Sequence, residues 1–293
     1  MSLHKKKIIG IGELLVDRFP DYTKPGGAPA NVVYNLNKLG NNGIIVSSVG
    51  DDEAGKMLCD FLKEQEIPTK YVQQSAKPTG MVDVTFDAEE AHYHIVRNVA
   101  WDDIRWSEDL LQLAQQCDAI CFSTLSQRDE TTAGTIYKFL DQASPYALKV
   151  LDINLRPPYT DKEMLAASFQ RAHVIKMNEH EYRMVAEVFD VAETSTFLFE
   201  TFGVRAIILT LGSKGSKFIA PNALFEGKSQ PVDTRNGDSV GVGDAFIACI
   251  IHHLLKGTDP QIMIEKANQF AGFAATQSGA MVNFPAQLLD QTR

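Results

Sequence analysis

The sequence is poor in the features that mark secreted, membrane-spanning or nucleic-acid-binding chains. Cysteine is scarce: four in 293 residues, at positions 59, 117, 121 and 249, with no CxxC pair. That spacing excludes a disulfide-stapled scaffold and a zinc knuckle, and fits free thiols in a reducing compartment. No apolar run reaches the ~18 residues that a membrane-spanning helix needs. Segment 8–16 contains Gly10, Gly12 and Glu13, so it makes a poor signal-peptide core, and no Asn-x-Ser/Thr sequon occurs. Positive charge is short as well. Lys and Arg number 28 against 37 Asp and Glu, a net charge of -9, and the one basic run is Lys5-Lys6-Lys7. An acidic surface of this kind repels nucleic acid and anionic membranes. The expectation is a cytoplasmic protein whose partners are small molecules.

What is present reads as one large globular domain, residues 1–293. Hydrophobic residues make up 44% and charged residues 22%, values that suit a sizeable core. No internal repeat or low-complexity linker interrupts the chain. Short runs rich in Ile and Val at 8–12, 44–49, 119–123, 149–152, 174–177 and 206–211 predict buried strands, apolar on both faces as in a covered parallel sheet. Amphipathic stretches lie between them. In one of these, Ala54, Met57, Leu58, Phe61 and Leu62 form a single stripe, started by Asp51 and Asp52 and ended before Pro68. Segments 30–39, 131–142, 162–172, 179–189 and 245–255 predict further helices. Alternating β and α implies an α/β fold, a mostly parallel sheet with helices on both faces. Segments 81–87 and 92–97 instead alternate with period two and predict a hairpin joined by the polar link 88–91, with Val82, Val84 and Phe86 on one face. With segment 14–19 it would form a small separate sheet.

Several glycine-bearing loops compete as phosphate sites. Gly50-Asp51-Asp52-Glu53-Ala54-Gly55-Lys56-Met57 fits most of a P-loop, but Met57 replaces the metal-binding hydroxyl and three carboxylates crowd the amides, so a capped surface helix is the better reading. Gly10-Ile11-Gly12 follows a strand, yet Leu15 stands at the third glycine position, and an isolated GxG is weak. The stronger candidate is Asp238-Ser239-Val240-Gly241-Val242-Gly243-Asp244, running into an apolar helix that stops near Gly257. Alternate glycines let backbone amides converge, and a helix N-terminus favours anions. Asp244 alone could equally be a helix cap. Thr210-Leu211-Gly212-Ser213-Lys214-Gly215 admits a nucleotide or a plain hairpin turn. Asn178-Glu179-His180-Glu181 offers oxygens to Mg²⁺ or an ordinary N-cap with acidic first-turn residues.

Read in order, Gly12-Glu13…Asp17, Pro25-Gly26-Gly27-Ala28-Pro29-Ala30-Asn31, Val49-Gly50-Asp51-Asp52…Gly55, Asp152-Ile153-Asn154-Leu155-Arg156, Asn178…Glu181, Thr210…Gly212…Gly215 and Gly241-Val242-Gly243-Asp244 resemble the ribokinase-like (PfkB) carbohydrate kinases, and among them are most similar to fructokinases. The resemblance spans essentially the whole chain. It implies a ribokinase-like fold with a small β-sheet lid formed by about 13–20 and 80–98, and an enzyme passing the γ-phosphate of ATP to a sugar hydroxyl, D-fructose first. By the same resemblance Asp244 is the general base, and the amides of Gly241, Val242 and Gly243 form the anion hole. Arg156 faces the phosphates. Asp17, Gly26, Gly27 and Asn31 hold sugar hydroxyls, and Arg97 looks like the lid arginine of fructokinases. Asn178 and Glu181 order Mg²⁺ through its waters. Thr210, Gly212 and Gly215 line the ATP site, and Asn268 with Ala271 border the adenine. Asp238 marks a site for a monovalent cation, K⁺, and the lid often forms a homodimer contact in this family. The family loop usually reads DTxGAGD, whereas this chain has Val240 and Val242. Trp101 and Asp102 stand where many fructokinases carry a small residue before an acidic one. Kinases of 2-keto-3-deoxygluconate, ribose or a nucleoside, and a non-catalytic sugar-binding regulator, share the pattern as alternatives.

Overall fold

The computed structural model of the chain describes residues 5–87, 90–156, 161–235 and 237–293. Its strands, in chain order, are β1 (Lys7–Ile11), β2 (Leu15–Arg18), β3 (Thr23–Gly26), β4 (Asn42–Gly50), β5 (Val72–Ser75), β6 (Gly80–Asp87), β7 (Glu90–Ile95), β8 (Ala119–Ser123), β9 (Leu148–Asp152), β10 (Val174–Asn178), β11 (Ala206–Thr210), β12 (Ser216–Ala220) and β13 (Ala223–Gly227). The helices are α1 (Ala28–Lys38), α2 (Glu53–Glu64), α3 (Glu108–Gln116), α4 (Glu130–Gln142), α5 (Lys162–Arg171), α6 (Glu179–Phe189), α7 (Thr194–Phe202), α8 (Val242–Lys256), α9 (Pro260–Ala274) and α10 (Ala286–Thr292). Among the described residues the strands form a nine-stranded sheet, β13-β12-β11-β10-β9-β8-β1-β4-β5, and a four-stranded sheet, β3-β2-β6-β7.

The large sheet is parallel from β11 to β5 and ends in the antiparallel pair β12 and β13. Its strands are apolar on both faces because both faces are covered. Ile8, Cys121, Val150 and Ile208 pack under α1, α8 and α9. Their chain neighbours Ile9, Phe122, Leu151 and Ile207 pack on the other side against α3 to α7. The period-two pattern of a strand thus fills two separate cores.

Chain order reverses beside β1, which pairs with β4 on one side and β8 on the other. In an open α/β sheet the crevice at such a point, beyond the carboxyl ends of the strands, is where ligands bind. The small sheet stands over that crevice. It contains the expected hairpin and segment 14–19, plus β3, which the sequence pattern did not indicate because Pro25 and Gly26 disguise it. Residues 88 and 89 of the link lie outside the described residues, as do the side chains of Val84 and Phe86. Val82 is buried.

The P-loop-like stretch is a capped helix start. Asp52 is the N-cap of α2, its side chain accepting from Gly55 N at 2.8 Å. The loop 210–215 is a hairpin turn between β11 and β12, and it also lines a cavity described below. All four cysteines are free. Among the described residues no helix is long and apolar enough to cross a membrane.

Candidate active site

Loops leaving β1, β8, β9 and β11 bring Glu13, Leu125, Asn154, Arg156 and Gly212 to the crevice, and Lys176, Asn178 and Thr210 reach it from the last residues of β10 and β11. Two cavities meet there. A small one of about 210 Å³ lies under the four-stranded sheet and is lined by Glu13, Asp17, Asn31, Arg156, Lys176 and Asp244, with an apolar wall of Leu15, Val82, Ile95, Leu125 and Val240. A larger one of about 810 Å³ opens between β11, α8 and α9. Ser239 and Gly243 line both, so the turn that begins α8 is the partition between them.

Why the chain turns there is local. Gly241 is the N-cap of α8 with φ of 73°, a left-handed conformation that suits glycine, and an added Cβ would lie 2.3 Å from Ala280 Cβ. The helix begins three residues before the sequence pattern suggests, because Val242 and Gly243 belong to its first turn. Asp244 is therefore not the cap, and no side chain caps this helix. The first-turn amides have no intrahelical partners, and the helix dipole makes this end favourable for an anion.

Asp244 is half-buried on the wall of the small cavity. Its Oδ2 accepts from Asn31 Nδ2 at 2.8 Å. Burial, with the charges of Asp152 and Glu13, pushes its carboxyl up to about 7, against the Asn31 hydrogen bond and Lys176. Asp17 behaves alike: burial and Asp238 push it up to about 7. Gly26 does not line the cavity. It lies beside Asp17, and a Cβ there would come within 2.1 Å of Asp17 Oδ2, so its bareness makes room for that carboxylate. Gly27, the N-cap of α1, does line the cavity.

The remaining expected residues divide. Asn178, Thr210, Gly212, Gly215, Asp238, Val242, Asn268 and Ala271 all line the larger cavity. Asn268 is buried there with Nδ2 unpartnered. Asn178 and Glu181 form a reciprocal capping box at the start of α6: Asn178 Oδ1 accepts from Glu181 N, and Glu181 Oε2 accepts from Asn178 N, each at 2.8 Å. The other Glu181 oxygen accepts from Leu155 N at 3.1 Å, so this carboxylate is buried outside both cavity linings. Asp238 likewise serves the backbone, accepting from Val240 N at 3.0 Å and Gly279 N at 2.9 Å. Arg97 is exposed beyond β7 and lines neither cavity.

Sequence reasoning passed over four residues that line the small cavity or shape its field. Lys176 sits in the buried β10 and pairs with Asp152 at 3.0 and 3.1 Å. Burial opposes its charge, yet Asp152, Glu181 and Asp244 hold its pKa above the ordinary lysine value. Asn154 has φ of 38°, a strained conformation that often marks a site. Glu13 is 1% exposed. The available signal was a charged residue inside an apolar strand run, or just beyond it, since such groups are rarely buried without a reason.

Comparison with known proteins follows the same lines. The profile described as pfkB family carbohydrate kinase matches residues 18–287. The chain is 28% identical to the ATP-dependent 6-phosphofructokinase of Thermoanaerobacterium thermosaccharolyticum, over 96% of this chain and 91% of that protein. It is 27% identical to the fructokinase of Salmonella typhimurium, over 96% of this chain and 97% of that one. In fold it is similar to the fructokinase of Xylella fastidiosa solved with bound ATP, with a TM-score of 0.87 at 20% identity over 98% of both chains.

Proposed function

The chain belongs to the pfkB family of carbohydrate kinases, and on that premise we propose that it transfers the γ-phosphate of ATP to a hydroxyl of D-fructose, with Asp244 as the base. The observation that carries this reading is the partition. One half-buried carboxylate stands at a helix N-terminus where a small acceptor-rich cavity adjoins a large one. The small cavity takes the sugar and the large one the nucleotide.

Phosphoryl transfer asks mainly for positioning and charge stabilisation. Asp244 accepts the hydroxyl proton as the bond to phosphorus forms. The amides of Gly241, Val242 and Gly243 receive the charge on the transferred group, with Arg156 behind them. Asp17, Gly27 and Asn31 hold the other hydroxyls. Asn268, with its unpartnered Nδ2, and Ala271 border the adenine, and Thr210, Gly212 and Gly215 line the approach. Asn178 and Glu181 spend their oxygens on backbone N–H groups, so they fit Mg²⁺ held through its waters rather than by direct ligation. When bound, that ion neutralises charge on the ATP phosphates. Asp238 is the candidate for K⁺. The sheet β3-β2-β6-β7, of which β2, β6 and β7 fall within about 13–20 and 80–98, acts as a lid carrying Arg97 and as the contact of a homodimer, and excludes water from the reaction. The free cysteines suit a cytoplasmic setting.

A neutral sugar is favoured over a phosphorylated one. Glu13, Asp17, Asp152 and Asp244 all line the small cavity, and Lys176, one of its two lining cations, is already paired with Asp152. A sugar phosphate would meet that field as a like charge.

The test is a coupled assay for ADP release with Mg-ATP, run against fructose, fructose 6-phosphate, ribose, 2-keto-3-deoxygluconate, tagatose and adenosine. Fructose should turn over fastest. Asp244→Asn should lower kcat by roughly 10²- to 10⁴-fold while calorimetry finds fructose binding within a few-fold of wild type. Turnover of fructose 6-phosphate alone would replace the substrate. Binding without turnover of any sugar would mean a sensor on this fold.

A further inference from the structure

We propose that Glu13 is a substrate-binding residue whose Oε1 accepts a hydrogen bond from a sugar hydroxyl other than the reacting one. The proposal rests on the sugar-kinase reading of the same cavity.

Glu13 follows β1 directly and lines the small cavity. Its two oxygens have different surroundings. Oε2 accepts from Ser126 Oγ and, at 3.4 Å, from Ser123 Oγ. Ser126 can come so close because Gly12, with φ of 142°, has no side chain: a Cβ there would lie 2.0 Å from Ser126 Oγ. The carboxyl is thus clamped from one side by Gly12, by Ser123 at the end of β8 and by Ser126 in the turn that follows. Oε1 is buried with no partner, although Glu13 is only 1% exposed. A buried acceptor left unmet loses its water without replacement, and such groups in native proteins have a use.

A second orphan shares the cavity. Asn31 donates through Nδ2 to Asp244, and its Oδ1 is buried and unpartnered. Two acceptors without donors on residues that line one cavity with Asp17 fit a ligand that brings several hydroxyls. Burial holds the Glu13 carboxyl above its ordinary pKa, against the Ser126 hydrogen bond and the charges of Arg156 and Arg128. A proton on the free oxygen would make it a donor, and a sugar hydroxyl accepts as readily as it donates. The contact therefore survives either protonation state.

The experiment is a cycle between the residue and the ligand. Wild type, Glu13→Leu and Ser126→Ala are compared for binding of fructose and its monodeoxy analogues by calorimetry, without ATP. Leucine fills similar space but offers no hydrogen-bonding atom, whereas glutamine would keep both an acceptor and a donor. Glu13→Leu should weaken fructose about tenfold and raise KM for sugar, leaving KM for ATP unchanged. One deoxy analogue should bind wild type about tenfold more weakly than fructose does, and Glu13→Leu no more weakly than fructose. That convergence identifies a direct contact, which a merely structural role would not produce. Ser126→Ala keeps the carboxyl but removes the nearer donor to Oε2, and should retain discrimination against the same analogue. If every analogue loses the same factor in Glu13→Leu as in wild type, Glu13 touches no sugar hydroxyl and the proposal falls while the kinase reading stands. If wild type binds none of these sugars, both fall.

Discussion

As the proposed base, Asp244 has to be ionised to accept a hydroxyl proton, yet burial and the neighbouring Asp152 favour its protonated form and push it up to about 7. The sign follows directly: below that value the inactive acid dominates in the free enzyme, and above it the base is available. The plot of kcat/KM against pH, which reports the free enzyme, should rise through an apparent pKa near 7. Asp17 titrates in the same range and the same cavity, so the limb belongs to the group of carboxylates rather than to one residue. Asp152→Asn removes a negative charge beside Asp244 and leaves Lys176 unpaired. Both changes stabilise the Asp244 anion, so the limb should move to lower pH. An unmoved limb would show that Asp152 does not set the titration. In the sequence Asp152 stood only as a member of the family motif 152–156, and Lys176 only as a charged residue inside the strand-like run 174–177. That they meet at 3.0 Å follows from β9 and β10 being adjacent, which no local pattern states.

At the scale of elements, α8 joins the chemistry to the core. Its body is buried through its own Ile247, Ile250 and Ile251 in the core under α1 and α9, and its N-terminus forms the cavity partition. Gly241→Ala places a Cβ at φ of 73° and 2.3 Å from Ala280. Strain of this kind costs about 1–3 kcal/mol. Urea unfolding should show that loss, and kcat should fall by more than KM changes, since a displacement of the helix start moves the base and amides together. A fully stable, fully active Gly241→Ala would remove the turn from the mechanism. The helix itself was legible from its apolar run and Gly257. Its true start was not, because glycine and valine in a first turn look like loop until Gly241 is seen in the left-handed region.

Across the whole molecule, one small core ties the two sheets together: Leu15, Phe19, Val82, Val99, Trp101 and Leu125. Beneath it, Arg128 lies over the Trp101 ring at 3.8 Å, pairs with Asp102 at 2.8 Å and donates to Val96 O at 2.6 Å, just beyond β7. Both charged side chains are 3% exposed. Removing one partner of a buried pair strands the other charge and costs about 3–5 kcal/mol. Arg128→Met should therefore lower stability by about that much. It should also loosen the base of the proposed lid, raising ATP hydrolysis in the absence of sugar relative to sugar turnover. Unchanged coupling at reduced stability would assign the cluster to folding alone. Trp101 stood out in the sequence as a large residue in an unusual place. Its reason, an indole filling the space beside Gly80, needed the tertiary structure.

By itself the sequence determined the class of fold, most of the parallel strands along the chain and most of their helices, and the motifs that mark a carbohydrate kinase. Those features rest on local periodicity and on glycines whose use is local. The antiparallel edge, β3, β5, α3, α7, α9 and α10 escaped it, since their patterns are short or weak and their stability comes from packing. Only the tertiary structure decided that Gly26 serves Asp17, that both Glu181 oxygens serve the backbone, and that Glu13, Asp152 and Lys176 converge with Asp244. Proximity between residues more than a hundred positions apart is set by strand order and sheet closure. Burial then sets their charge, because an enclosed carboxylate loses solvent that no neighbour in sequence can replace.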